Sequence, residues 1–119
     1  MSTSRIAVFN DHAKQFSLEE IEIPSLGERE ILVKISYTTI CRSDIYTFEG
    51  RRKEKSPTIL GHEIVGNIIE FGEHANKIDL RGHMLSLGDK ITWAIYASNP
   101  DSRFAQKGIP QKGEDLFKY

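Results

Sequence analysis

The chain is poor in cysteine, in net charge and in long apolar runs, and each shortage removes a class of function. Among its 119 residues stands one cysteine, Cys41. No disulfide can form within the chain, which fits a reducing compartment and makes the cytoplasm the expected location. Sixteen Lys and Arg face seventeen Asp and Glu, a formal net charge of −1, so no overall field draws the chain to nucleic acid or to an anionic membrane. No stretch approaches the ~20 apolar residues of a bilayer-spanning helix. The opening "MSTSRIAVFNDH" also lacks the apolar segment of a secretory signal. Neither nucleic acid nor membrane is expected as a partner. No G-x-G-x-x-G follows a strand-like run, so a nucleotide-binding Rossmann domain is absent from this sequence.

What remains reads as one β-rich domain over 1–119, a length that can bury roughly two-thirds of its unfolded surface. "RIAVF" and "FSLEEIEIP" look like the arms of a hairpin, with Pro24 ending the second. In "EILVKISYTTI", Ile31, Val33, Ile35 and Tyr37 alternate with Leu32, Lys34, Ser36 and Thr38 at the period of a strand. "EIVGNIIEFG" and "HMLSLGDKITWAIYAS" are further apolar, β-branched runs, with Gly66 and Gly72 as bulge or turn positions and "LGDK" as a tight corner. One segment, "RSDIYTFEG", reads as a short helix, capped by Ser43 or Asp44 and stopped by Gly50. The fold class is therefore mainly β, a twisted partial barrel or sandwich. Residues 98–115, "SNPDSRFAQKGIPQKGED", read as a long polar loop, and "GRRKEK" at 50–55 as a solvated surface loop.

Chemistry concentrates in "CRSD" at 41–44 and "GHE" at 61–63. A thiolate and a neutral imidazole are favoured zinc ligands, and a catalytic zinc takes three protein ligands plus water. Cys41 and His62 supply two such groups. Asp44 could orient the imidazole, Ser43 offers a hydroxyl beside the metal, and Glu63 a carboxylate as an alternative ligand. Gly61 lets the backbone approach closely. The plainer reading of the same residues is a packed thiol and a satisfied histidine.

"CRSD" followed by "PTILGHEIVG" resembles the zinc-dependent medium-chain alcohol dehydrogenases, and the likeness extends over most of the chain. It implies their N-terminal GroES-like catalytic domain. On matching positions it implies Cys41 and His62 as catalytic zinc ligands and Glu63 as a carboxylate that exchanges with water on the metal. It further implies Ser43 as acceptor of the substrate's proton, Asp44 as partner of the ligating histidine, and Arg42 as a contact to the cofactor pyrophosphate. The implied reaction is hydride transfer between a small-molecule alcohol or aldehyde and NAD or NADP, with zinc as a Lewis acid. Where several members carry a relay histidine, this chain has Tyr46. "GRR" together with "GIPQKG.DLFKY" is most similar to the phosphonate-associated branch.

Two departures limit the resemblance. The four cysteines that commonly hold a structural zinc fall here on Asn99, Ser102, Ala105 and Gly113, so 98–115 is expected to be a mobile lobe without that metal. The third catalytic ligand and the glycine-rich nucleotide-binding fold belong past Tyr119 in the family, so the chain alone is expected to be inactive. The alternatives are a GroES-like β-barrel that binds a partner without metal, and assembly into a homo-oligomer through apolar surface left open by a missing domain.

Overall fold

A computed structural model describes residues 2–112 and 116–118. The two opening arms pair as an antiparallel hairpin, β1 (Thr3–Asn10) with β2 (Gln15–Glu22), from Thr3 opposite Glu22 to Asn10 opposite Gln15. Asn10 fixes the turn, its side-chain oxygen accepting the N–H groups of His12 and Ala13 at 3.0 and 3.2 Å. β2 is exposed along its whole length, and the hairpin's one fully buried side chain is Phe9 of β1. Phe9 meets Phe16 and Phe48 with ring centroids 5.1 and 5.6 Å apart. A two-bond bridge from Phe9 to Thr58 ties the hairpin to the segment that approaches His62.

The sheet that positions the chemistry is three-stranded, in the order β3 (Ile31–Thr39), β4 (Glu63–Phe71), β5 (Lys90–Ile91), all antiparallel. The alternation read from 30–40 and the β-branched run at 63–72 form its two long strands, as expected. Ile68 of β4 is buried at its centre. Two register shifts interrupt the β3–β4 ladder, between Leu32 and Val33 and between Ile35 and Tyr37. The second leaves Ser36 as an extra residue on β3. Its hydroxyl donates to Asn67 Oδ1 at 2.7 Å, and Asn67 Nδ2 donates to the Gly88 carbonyl at 3.0 Å. Gly66 sits opposite this bulge, and a Cβ there would collide with Val33 and the Lys34 carbonyl. A close approach of two strands, rather than a turn, explains that glycine.

Beyond β4 the strand expectation exceeds what forms. The run 83–98 yields only the two-residue strands β5 and β6 (Tyr96–Ala97), the latter paired with β7 (Phe117–Lys118). The remainder is spent on turns: Asp79 collects the N–H groups of Arg81 and His83, and Asp89 accepts that of Ser86, all at 2.8 Å. Polar side chains there satisfy the backbone that a ladder would otherwise have used.

The short helix forms where the sequence places it, α1 (Arg42–Phe48), ending ahead of Gly50. Its cap differs from expectation. The N-cap is Cys41, with φ −85° and ψ 154°, while Asp44 occupies the third helical position and its Oδ2 accepts the Cys41 N–H at 2.9 Å. Half a capping box thus operates from the acid side, because a thiol is a poor cap and the carboxylate takes over the orphan donor. A second helix, α2 (Arg103–Gln106), and a 3-10 turn (Pro110–Lys112) fall within the segment read as loop.

Taken together the molecule is open. Its accessible surface is 9594 Å² and its radius of gyration 16.0 Å. A self-contained protein of 13.6 kDa would show about 6,600 Å², and one of its length a radius of about 13.5 Å. Burial of roughly two-thirds of the unfolded surface, expected from length, is not reached. Leu18, Tyr37, Ile40, Ile45 and Phe48 are among the large apolar side chains left exposed.

Candidate metal centre

Both segments that carry the candidate ligands leave the same end of the β3–β4 sheet. β3 stops at Thr39, and Cys41 follows two residues later as the first residue of the turn into α1. β4 begins at Glu63, immediately after His62. The ladder pairs Thr39 with Glu63 as its last rung, so the strand ends deliver a thiol from one side and an imidazole and a carboxylate from the other. One ligand atom each from Cys41, His62 and Glu63 lies within 4.8 Å of the other two.

That spacing suits a single ion. With a Zn–S bond of about 2.3 Å and Zn–N or Zn–O bonds of about 2.0–2.1 Å, tetrahedral ligand atoms stand about 3.5 Å apart, so a contraction of about 1 Å would seat the metal. Thiolate, imidazole and carboxylate together form a donor set typical of zinc. Cys41 and His62 are half-buried and Glu63 is exposed, which leaves one side of the group open to solvent. Among the described residues these three form the only such cluster.

The surrounding groups hold these three residues in place. Asp44, whose side chain is 12% exposed, joins the two segments: Oδ2 accepts the Cys41 N–H at 2.9 Å, and Oδ1 accepts the Gly61 N–H at 3.3 Å and lies 3.5 Å from His62 Nδ1. A carboxylate beside Nδ1 favours the tautomer that carries its proton there and presents the Nε2 lone pair to a metal. Ser43 Oγ stands 3.4 Å from His62 Nε2, at the side where an ion would sit. Gly61 precedes the histidine with φ +109°, a conformation that L side chains rarely adopt, and a Cβ there would lie 3.1 Å from Thr38 Oγ1. Glycine is needed to turn His62 into the group. Arg42, the first residue of α1, is exposed beside this cluster.

Two hollows flank the centre. One, of about 630 Å³, is an open cleft that includes His62, Glu63, Thr39, Thr92 and Trp93 among its walls. The other, of about 380 Å³, is almost wholly apolar, with Phe16, Ile40, Ile45, Phe48 and Leu60 around Asp44 and Gly61. The structure therefore brings together Cys41, Ser43, Asp44, His62 and Glu63 of the residues singled out from sequence. It adds Thr39 and Trp93, which sequence reasoning missed. Trp93 lies in a run that reads as strand core, and Thr39 gains its meaning only from the register of the ladder.

The second expected feature concerns Asn99, Ser102, Ala105 and Gly113. Asn99 Oδ1 accepts the Asp101 N–H at 2.9 Å, and Ser102 caps α2 by accepting the Ala105 N–H at 3.2 Å. Gly113 lies outside the described residues.

Residues 27–113 match the alcohol dehydrogenase GroES-like domain family. The chain belongs to that family. Its fold is accordingly the GroES-like one expected from "CRSD" and "GHE", mainly β with short helices and without a nucleotide-binding domain in this sequence. Curated relatives include a D-arabitol-phosphate dehydrogenase of Enterococcus avium, 34% identical over 79 residues, which are 66% of this chain and 20% of that protein. The zinc-type alcohol dehydrogenase B of Aspergillus flavus is 29% identical over 111 residues, 92% of this chain and 24% of that protein. Among solved structures, the alcohol dehydrogenase of Thermotoga maritima superimposes with a TM-score of 0.83 at 26% identity, over 100% of this chain and 33% of that one. This GroES-like chain thus spans a fifth to a third of these relatives' length. No helix among the described residues is long and apolar enough to cross a membrane.

Proposed function

We propose that this chain is the catalytic domain of a zinc-dependent alcohol dehydrogenase, an oxidoreductase that moves hydride between a small-molecule alcohol or aldehyde and NAD or NADP. The single observation that carries the reading is the convergence of Cys41, His62 and Glu63 at one end of the β3–β4 sheet. Cys41 and His62 hold zinc, with Glu63 as a further carboxylate donor. When bound, the ion supplies Lewis acidity that lowers the pKa of the substrate hydroxyl.

The chain's own groups then have separate tasks. Ser43 relays the hydroxyl proton, accepting it on Oγ as its own hydroxyl proton passes outward to water, since its Oγ is the hydroxyl beside His62 Nε2. Asp44 keeps His62 and Cys41 in register through its contacts to both segments. Arg42 supplies a cation for the cofactor pyrophosphate. The cleft bounded by Thr39, Thr92 and Trp93 receives the carbon skeleton. The free Cys41 thiol suits a reducing compartment, and we place the protein in the cytoplasm.

No nucleotide-binding domain lies in this sequence, so Arg42 is at most one contact to the cofactor, and the open apolar faces, Ile40, Ile45 and Phe48 among them, are where further protein packs, whether another domain or a second copy. Of the four cysteine positions in 98–115, Asn99 and Ser102 serve neighbouring backbone N–H groups, and we read the segment as a lobe without a structural zinc. Dialysis against zinc followed by elemental analysis tests the site. One ion per chain, lost in both Cys41→Ala and His62→Ala, is the expected result; a metal-free wild-type protein contradicts the proposal. The chain by itself is expected to show no NAD(P)-dependent alcohol oxidation in a spectrophotometric assay.

A further inference from the structure

The last rung of the β3–β4 ladder sets Thr39 directly opposite Glu63, and the Thr39 hydroxyl donates a hydrogen bond to Glu63 Oε2. Opposed residues on neighbouring strands point to the same face of the sheet, so this contact follows from the register rather than from chance proximity. The register in turn depends on the extra residue at Ser36, fastened through Asn67 to Gly88. The neighbouring Thr38 serves a different surface, its Oγ1 lying against Gly61.

An exposed glutamate at the end of a strand ordinarily samples many rotamers, and ordering it costs entropy. Thr39 is a suitable anchor because its branched side chain is stiff about χ1 and its backbone is held in the ladder. A hydrogen bond to one carboxylate oxygen fixes the plane of the group and leaves the other oxygen's lone pairs for another partner. One Glu63 oxygen is already within 4.8 Å of the Cys41 and His62 ligand atoms.

We infer that Thr39 is a positioning residue, whose hydroxyl holds the Glu63 carboxylate beside Cys41 and His62 so that Glu63 serves as the third protein donor to the ion in this chain. The inference rests on the zinc reading. It assigns to Thr39 a role that no local pattern in "TTIC" discloses, and it makes the bulge at Ser36 part of the site's construction.

The test compares Thr39→Val, which keeps the branched shape and removes the hydroxyl, with Thr39→Ser, which keeps the hydroxyl. Thr39 is exposed, so neither variant opens a core cavity. Zinc affinity is measured by competition with a chelator, and the coordination sphere by the visible absorption of the cobalt(II)-substituted protein. Thr39→Val is expected to weaken zinc about tenfold, the lower end of the effect of removing an outer partner of a ligand. Its cobalt bands should move toward those of Glu63→Ala, and Thr39→Ser should restore both affinity and bands. In a Glu63→Ala background Thr39→Val should have no further effect. Unchanged affinity in Thr39→Val, or an equal loss with and without Glu63, overturns the inference. If the wild-type protein binds zinc through Cys41 and His62 while Thr39→Val is silent, the zinc reading stands and this inference falls; if the wild-type protein binds no ion, both fall.

Discussion

The segment from Cys41 to Glu63 and the lobe from Asn99 to Lys112 differ in what their polar side chains are for. In the first, Asp44 bonds to Cys41 and Gly61, and Thr39 bonds to Glu63, which ties together the segments bearing the three candidate metal donors, and a glycine at φ +109° brings His62 into place. In the second, Asn99 and Ser102 give their oxygens to neighbouring backbone N–H groups, Asn99 to a turn and Ser102 to the start of α2. Both regions are irregular connections beyond the ends of strands. One joins two segments around a cluster of candidate metal donors, the other closes on itself. The lesson is that a candidate site declares itself where side chains tie separate segments together, whereas local caps close on the backbone of their own segment.

Substitutions can break this comparison from either side. The largest effect is expected from Asp44→Ala, which frees His62 and Cys41 together and should weaken zinc by about ten- to a hundredfold in a chelator competition. Next comes Gly61→Ala, which imposes a Cβ at φ +109° and against Thr38; it should cost about 1–3 kcal/mol in chemical denaturation and lower zinc affinity as His62 moves. Ser102→Ala should loosen α2 by about 1 kcal/mol, read as faster exchange of the amides of Ala105 and Gln106, with zinc affinity unchanged. If Ser102→Ala altered zinc binding, the two regions would not be independent.

The smallest effect is one of pH. Asp79 is held below the usual aspartate range, chiefly by the backbone N–H of His83 and also by that of Arg81. A lowered folded pKa favours the turn at pH above the ordinary aspartate range, and that contribution disappears as pH falls through the lowered value. Amide exchange of Arg81 and His83 should therefore quicken in acid, and Asp79→Asn should flatten the dependence. The Asp79 side chain is partly exposed, so the change is small and confined to the turn.

The same contrast explains what could be read from the sequence. β3, β4 and the opening hairpin were legible because long strands carry a period-two pattern or a β-branched run of their own. The helix at 42–48 was legible from its Gly50 stop, yet its cap was not: cysteine is no preferred N-cap, and Asp44 acts from inside the first turn. β5, β6 and β7 are two residues each and exist only because a partner strand is there, so no local pattern announces them. Within the site, Cys41, Ser43, Asp44, His62 and Glu63 could be named from residue chemistry and from resemblance to a family. Thr39 could not, since its place opposite Glu63 depends on a bulge whose position is set by the side chains of Ser36 and Asn67. The openness of the molecule was legible only through the family resemblance, as apolar surface left by a missing domain, and not from composition. Composition records how many apolar residues there are, not whether the chain supplies the surface that covers them.

X-ray absorption at the zinc edge of the zinc-loaded protein tests the central claim most directly, because it counts the sulfur atoms around the ion. The account predicts one sulfur at about 2.3 Å, with nitrogen and oxygen filling the remaining positions at about 2.0–2.2 Å, and a shell without sulfur in Cys41→Ser. A wild-type shell made only of nitrogen and oxygen would show that Cys41 and His62 do not share an ion, and would contradict it.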